Sequence, residues 1–253
     1  MMIEIFILSL IQGFTEFLPV SSSSHLILVS KYLSFNNQNL SIDVSLHIGS
    51  FLAVITYFRK DIFNFFKNKE LFLKIFISSI PVMLVGYILI KLNLIDALRN
   101  VKVIGWMTII FGVLLYVSDK SENKKKLNNS FTLKTAIFIG VFQIFSLLPG
   151  ASRSGAAITA ARFLNYNRLD SAKISFLLSI PTLAAVSIFG INNLLRSDSL
   201  EFSLLNLISI FFSFIFSFIT IKYFLKYIKN FNLNIFVMYR ILLGLVILIL
   251  AYL

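Results

Sequence analysis

The sequence predicts an all-α polytopic membrane protein in which six transmembrane helices and two re-entrant helical hairpins form an inverted repeat. Three observations predict it. Of the 253 residues, 58% are hydrophobic and 13% charged, with a mean hydropathy of +0.88. A soluble domain is about half apolar and about a quarter charged, so one water-soluble core cannot hide these side chains. Six apolar segments approach the roughly 20 residues that a bilayer span needs. Two further apolar regions are each broken by a Pro- and Ser-containing stretch.

In chain order, residues 2–33 are the first broken region, interrupted by Leu18-Pro19-Val20-Ser21-Ser22-Ser23-Ser24. The opening MMIEIFILSLIQGF lacks a basic segment and a small-residue cleavage site, so it reads as part of the mature fold. Spans are predicted at 41–58, 73–91 and 101–118, followed by a polar, Lys-rich linker, Ser118–Asn129. Residues 133–165 are the second broken region, interrupted by Leu148-Pro149-Gly150-Ala151-Ser152-Arg153-Ser154-Gly155, and spans follow at 172–191, 204–225 and 235–253. Each limb of a broken region is about 14 residues, or ~21 Å of helix, too short to cross alone. Broken backbone at membrane depth survives only when buried in protein or lining a polar cavity, so each region reads as a re-entrant hairpin.

The two breaks resemble each other. Gln12-Gly13-Phe14-Thr15-Glu16-Phe17-Leu18-Pro19 matches Gln143-Ile144-Phe145-Ser146-Leu147-Leu148-Pro149 with one residue deleted, and Ser79-Ile80-Pro81 echoes Ser179-Ile180-Pro181. The chain is therefore read as one integral membrane domain, 1–253, built from repeats 1–118 and 130–253. Each is a hairpin plus three spans; three is odd, so the second is inverted, a plan that places a site where the broken helices meet. Alternating the loops puts fifteen cations, from Arg59 and Lys67 to Lys229, on one face. The other face receives five: Lys31, Lys91, Arg99, Lys102 and Arg196. By the positive-inside rule both termini and the first hairpin's mouth face outward, and the second hairpin enters from the cytoplasm. The net charge of +12 lies between apolar segments, where it serves topology and membrane-lipid contact. Nucleic acid is excluded as a partner.

Intramembrane ionisable residues are costly and so are functional candidates. Gln12 and Glu16 share a helical face. Ser21 to Ser24 can cap the next half-helix, whose free N–H groups suit an anion, with His25 three residues beyond Ser22. In the second break Arg153 supplies a planar fork for phosphate oxygens, flanked by Ser152 and Ser154. A hydroxyl or imidazole nucleophile, a carboxylate base or metal ligand, and a cationic clamp compose a phosphoryl-transfer kit. The bland readings fall elsewhere: His47 as an interhelical polar contact, Glu4 as solvated, Arg162 and Arg240 as snorkelling near the cytoplasmic interface, Asp43 and Asp170 as helix N-caps. No Cys is present, which excludes disulfides and thiolate chemistry.

Gln12-Gly-Phe-Thr-Glu-Phe-Leu-Pro-Val-Ser-Ser-Ser-Ser-His25 and Pro149-Gly-Ala-Ser-Arg-Ser-Gly155, with Asp43-Val-Ser-Leu-His-Ile-Gly-Ser-Phe-Leu-Ala-Val54 between them, resemble the undecaprenyl-diphosphate phosphatase family associated with bacitracin resistance. The resemblance spans nearly the whole chain. It implies a multi-pass enzyme of the bacterial cytoplasmic membrane with an outward-opening site. That enzyme cleaves a polyprenyl diphosphate lipid to the monophosphate, recycling the carrier of cell-wall synthesis. By matching positions Glu16, Ser22, His25 and Arg153 are catalytic, with Ser22, His25 and water left open as the attacking group. Gln12, Ser21, Ser152 and Ser154 are expected at the substrate. A divalent metal ion, Mg2+ or Ca2+, is implied, with Glu16 as ligand, and a homodimer is carried as a partner expectation. Three positions depart from the usual pattern: Gln12 replaces a second Glu found in some members, Ser24 a Gly, and Ala157 a Thr. The rival class is an inverted-repeat transporter of a polyprenyl phosphate or small anion.

The charge asymmetry is testable because the native chain has no Cys. With Met2→Cys and Lys125→Cys as single labels, an impermeant thiol reagent on intact cells should reach position 2 and miss position 125. The reverse pattern would invert the layout.

Overall fold

Apolar segments in lipid must satisfy their own backbone hydrogen bonds, which leaves the helix as the economical solution. The computed structural model describes residues 2–33, 40–65, 69–92, 94, 98, 100–196 and 204–253. Among these it contains helices, turns and an isolated bridge between Lys125 and Tyr166, with no strand. The first broken region forms α1 (Met2–Thr15) and α2 (Ser22–Leu33). Then come α3 (Leu40–Tyr57), a short α4 (Arg59–Phe65) not foreseen in the sequence, α5 (Lys69–Lys91) and α6 (Val101–Asp119). The second broken region is α7 (Leu133–Gln143), a 3-10 turn over Ile144–Leu147, and α8 (Arg153–Phe163). Helices α9 (Arg168–Arg196), α10 (Leu204–Asn230) and α11 (Asn234–Tyr252) complete the chain.

Among the described residues, five helices (α5, α6, α9, α10 and α11) are long and apolar enough to cross a bilayer. The expected span at 41–58 is the shorter apolar helix α3. Large apolar side chains such as Leu242, Val246, Ile249 and Leu250 of α11 point away from the protein, a surface that lipid covers and water does not. This is a multi-pass membrane protein. Of the cations used to orient it, Lys67 and Arg99 lie outside the described residues, as do the side chains of Lys31 and Arg196.

Polar and small residues make the helix contacts, as they do where lipid and Leu are equally apolar. Helix α3 packs along α10, where Ser213 Oγ donates to the Leu46 carbonyl at 2.6 Å and Ser50 Oγ meets Ser217 Oγ at 3.0 Å. Helix α1 packs on α10 and α7 on α5. A Cβ at Gly13 would sit 2.3 Å from Phe216 Cβ, and one at Gly140 would sit 2.1 Å from the Ser78 carbonyl oxygen. Pro81 and Pro181 interrupt the hydrogen bonding of α5 and α9. Hydroxyls near each proline take nearby carbonyls: Ser79 Oγ that of Ile75 at 3.0 Å, Thr182 Oγ1 that of Leu178 at 3.1 Å.

The linker is folded rather than loose. Arg162, expected to snorkel, is fully buried and donates to the carbonyls of Asp119 (3.0 Å), Ser121 and Tyr166 and to Asn123 Oδ1 (2.8 Å). Asp119 pairs with Arg168 at 2.6 Å and accepts from the Leu233 N–H at 3.1 Å. Asp170 is not the cap of α9: Asn167 Oδ1 accepts from the Asp170 N–H at 2.8 Å, while Asp170 Oδ2 accepts from Leu127 N–H at 3.2 Å. Asp43 lies within the first turn of α3.

Gly140→Ala should lower the thermal midpoint in detergent, by about 1–3 kcal/mol of overpacking, although Ala is the better helix former. Gly86→Ala, whose Cβ would be 3.4 Å from its nearest neighbour, should not. Equal midpoints for both variants would contradict the close approach of α5 and α7.

Candidate active site

Both breaks use the same local device. Ser21 and Ser152, the residues just before α2 and α8, have φ of 74° and 71°. This left-handed conformation is uncommon for a non-glycine residue and turns the chain sharply into the second half-helix. Ser152 Oγ caps α8 by accepting from the Gly155 N–H at 3.1 Å, and Ser21 Oγ lies 2.9 Å from Ser24 Oγ. Gly150, at φ 103°, has room for no Cβ because the Ile104 carbonyl oxygen would be 2.5 Å away.

The two breaks meet. Arg153 Nη2 donates to Glu16 Oε1 at 2.8 Å, while Glu16 Oε2 accepts from Ser22 Oγ at 2.6 Å and from Gln12 Nε2 at 3.0 Å. Arg153 Nη1 is buried with no protein partner, which leaves one prong of the fork for an anion. Ser154, expected at the substrate, is buried and donates to the Leu18 carbonyl at 2.7 Å, tying one break to the other. A hydroxyl held against a carboxylate, with a guanidinium alongside, is an arrangement for proton abstraction and anion binding.

His25 stands apart from this cluster. Its Nδ1 contacts the Ser21 carbonyl at 2.6 Å, so Nδ1 carries the hydrogen and Nε2 accepts from the Tyr239 hydroxyl at 2.5 Å. The two rings also stack, with centroids 5.7 Å apart. Both ring nitrogens are thus engaged, and His25 is absent from the cavity lining. His47 makes the expected interhelical contact, through Nδ1 to Gln12 Nε2 at 3.1 Å, but also lines the cavity beside Glu16. Its place within an apolar helix was the available signal.

Arg240, read in the sequence as an interfacial snorkeler, is fully buried between the breaks. It donates to the carbonyls of Pro19 (3.0 Å) in the first and of Gly150 (2.7 Å) and Ala151 (3.1 Å) in the second. Arg240 lies in the second turn of α11, and both breaks pack against that part of the helix.

A cavity of about 1220 Å3 opens from the cluster. Glu16, Ser21, Ser22, Ser23, His47, Ser152 and Arg153 form its polar end. Its walls are largely apolar: Phe76, Val82, Met83, Tyr87 and Ile90 from α5, and Ala184, Ala185, Val186, Ile188, Phe189 and Ile191 from α9, with Thr182 and Asn192 on the same helix. No group of three or more His, Cys, Asp or Glu stands together among the described residues. The one carboxylate at the polar end, Glu16, fits a hard cation that is bound through one or two carboxylates and completed by phosphate oxygens and water. It does not form an all-protein cage.

The chain has close relatives among known proteins. The chain is 47% identical over 251 residues to the undecaprenyl-diphosphatase of Pelagibacter ubique, an overlap of 99% of this chain and 98% of that protein. It is 42% identical over 255 residues to the undecaprenyl-diphosphatase of Aliivibrio salmonicida, covering 95% of each. The undecaprenyl-diphosphatase of Jannaschia sp. is 35% identical over 261 residues, covering 98% of each. Residues 5–246 match the family described as bacitracin resistance protein BacA, and the chain belongs to that family.

Proposed function

We propose that this protein is a membrane diphosphatase that hydrolyses undecaprenyl diphosphate to undecaprenyl phosphate and inorganic phosphate. The observation that carries the reading is the cavity, a carboxylate–hydroxyl–guanidinium head that opens into an apolar corridor between α5 and α9. Such a site suits an amphiphile whose head is a diphosphate and whose tail is a hydrocarbon. The names of the relatives point to the same substrate and away from a transporter. So does the asymmetry of the cluster, with Glu16 and Ser22 on one break and Arg153 on the other.

In this reading Ser22 Oγ attacks the terminal phosphorus as Glu16 takes its proton. The bond from that phosphorus to the bridging oxygen breaks, and undecaprenyl phosphate leaves with the oxygen. Glu16 passes that proton to the departing oxygen, becomes a carboxylate again and takes a proton from the water that attacks the Ser22-bound phosphorus. Ser22 Oγ leaves with that proton and phosphate is released. Ser22 is favoured over His25 because it lies 2.6 Å from Glu16 and lines the cavity, whereas the His25 nitrogens face Ser21 and Tyr239. Arg153 holds phosphate oxygens through its free Nη1, with Ser152 and Ser21 at the same end. A divalent cation, Mg2+ or Ca2+, held by Glu16 and the substrate, would supply charge neutralisation on the phosphates.

The membrane placement belongs to the same proposal: two re-entrant hairpins in an inverted repeat, termini outward, in the bacterial cytoplasmic membrane. Reciprocal packing supports it, since the first limb of each hairpin lies on the second span of the other half, α1 on α10 and α7 on α5. The shared positive φ of Ser21 and Ser152 supports it as well.

Glu16→Gln should keep the fold while turnover falls by about 10²-fold or more, the scale of a lost general base. Ser22→Ala should fall as far. Arg153→Lys should be severely impaired, because an ammonium cannot serve Glu16 and a phosphate as a planar fork does. Each would be purified in detergent and assayed for phosphate release at saturating lipid. Near-normal turnover in Glu16→Gln and Arg153→Lys would displace the site, and near-normal turnover in Ser22→Ala alone would favour direct attack by water.

Divalent metal is tested separately. Exhaustive EDTA treatment should abolish turnover, and added Mg2+ or Ca2+ should restore it. Gln12→Glu, which sets a second carboxylate beside Glu16, should retain activity and raise the thermal midpoint on metal addition more than wild type. Full turnover after chelation would remove the metal from the scheme.

A further inference from the structure

Arg240 satisfies its guanidinium through main-chain carbonyls. Its five hydrogen bonds go to Thr108 (3.2 Å), Pro19 (3.0 Å), Gly150 (2.7 Å) and, twice, Ala151 (3.1 Å each). The two bonds to Ala151 fix the orientation of the Ala151–Ser152 peptide. Peptides are planar and trans, so a carbonyl aimed at Arg240 sends the Ser152 N–H the opposite way. Ser152 and Arg153 line the cavity and Arg240 does not. The positive φ of Gly150 (103°) and Ser152 (71°) flanks Ala151, a strained local backbone that persists only because the surrounding contacts hold it. The fold also keeps space for the guanidinium. A Cβ at Gly155 would lie 2.8 Å from Arg240 Nη1, and one at Gly112 would lie 3.2 Å from Arg240 Cβ.

We infer that Arg240 is a positioning residue for phosphate binding. Through the Ala151 carbonyl it presents the Ser152 N–H to the phosphate held by Arg153, and through the Pro19 carbonyl it holds the turn that carries Ser21 and Ser22 in register with them. The inference rests on the reading of the cavity as a diphosphate site. It also explains the glycine that ends the Ser152-Arg153-Ser154-Gly155 motif, which phosphate binding alone does not require.

The test uses the full chain in detergent as wild type, Arg240→Lys, Gly155→Ala and the double variant. Thermal midpoint, kcat and KM for undecaprenyl diphosphate, and the inhibition constant of inorganic pyrophosphate are measured. Arg240→Lys keeps the charge but loses the fork, so KM and the pyrophosphate constant should each rise by about tenfold, the scale of a lost charge-assisted hydrogen bond. Gly155→Ala should act in the same direction by displacing the guanidinium. Because both act on one contact, the double variant should be no worse than Arg240→Lys alone. A purely structural role would lower the midpoint and leave the pyrophosphate constant unchanged, which would overturn the inference, as would effects that multiply. If Arg240→Lys does not elute as a folded protein, Gly155→Ala decides alone: it places a better helix former in α8, and an unchanged pyrophosphate constant there overturns the inference. A wild type that neither cleaves the lipid nor binds pyrophosphate would instead overturn the diphosphatase reading.

Discussion

The ion pair between Glu16 and Arg153 joins two breaks 137 residues apart, and the rest of the site is arranged around it. Both charges are largely withdrawn from solvent, and each is compensated by the other. The pair therefore requires the two breaks to meet. Meeting buries non-helical backbone, where each unpaired carbonyl is costly. Arg240 and Ser154 meet that cost by donating across the junction, to Pro19, Gly150 and Ala151 and to Leu18 respectively. The site and the seam between the two breaks are the same structure.

The polar chemistry extends behind the site without widening it. Gln12 donates to Glu16 and faces His47 and Ser50, and Ser50 reaches Ser213 and Ser217 on α10. Hydroxyls and small residues let α1, α3 and α10 approach closely while their apolar faces remain outside. The corridor between α5 and α9 is lined differently, mostly by Phe, Val, Met, Ile and Ala. Two kinds of helix contact thus divide the molecule: polar and close where it must hold a charge, apolar and open where a hydrocarbon chain would lie.

The two histidines show that a place in a motif does not fix a side chain's partners. His25 sits in the Ser-rich motif, yet its ring is turned to Tyr239 and the Ser21 carbonyl. His47 has no reactive neighbours in sequence, yet it reaches Gln12 and the cavity. Proximity along a helix says which face a residue shares; it does not say which partner waits on that face.

The sequence by itself determined the helical membrane character, the positions of the long apolar helices and the two broken regions. These follow from local quantities: run length, hydropathy and the Pro, Gly and Ser that interrupt a helix. It also determined that Glu16, Ser22 and Arg153 are candidates, because a charge or hydroxyl run inside an apolar stretch is visible one residue at a time. Only the tertiary structure decided that Glu16 receives both Ser22 and Arg153, that His25 turns aside, and that Arg162 and Arg240 are buried clamps rather than interfacial side chains. Those outcomes depend on which carbonyls and carboxylates are brought within about 3 Å, the reach of a hydrogen bond. That reach joins Arg240 to residues 89 and 221 positions away, a separation that no local pattern encodes.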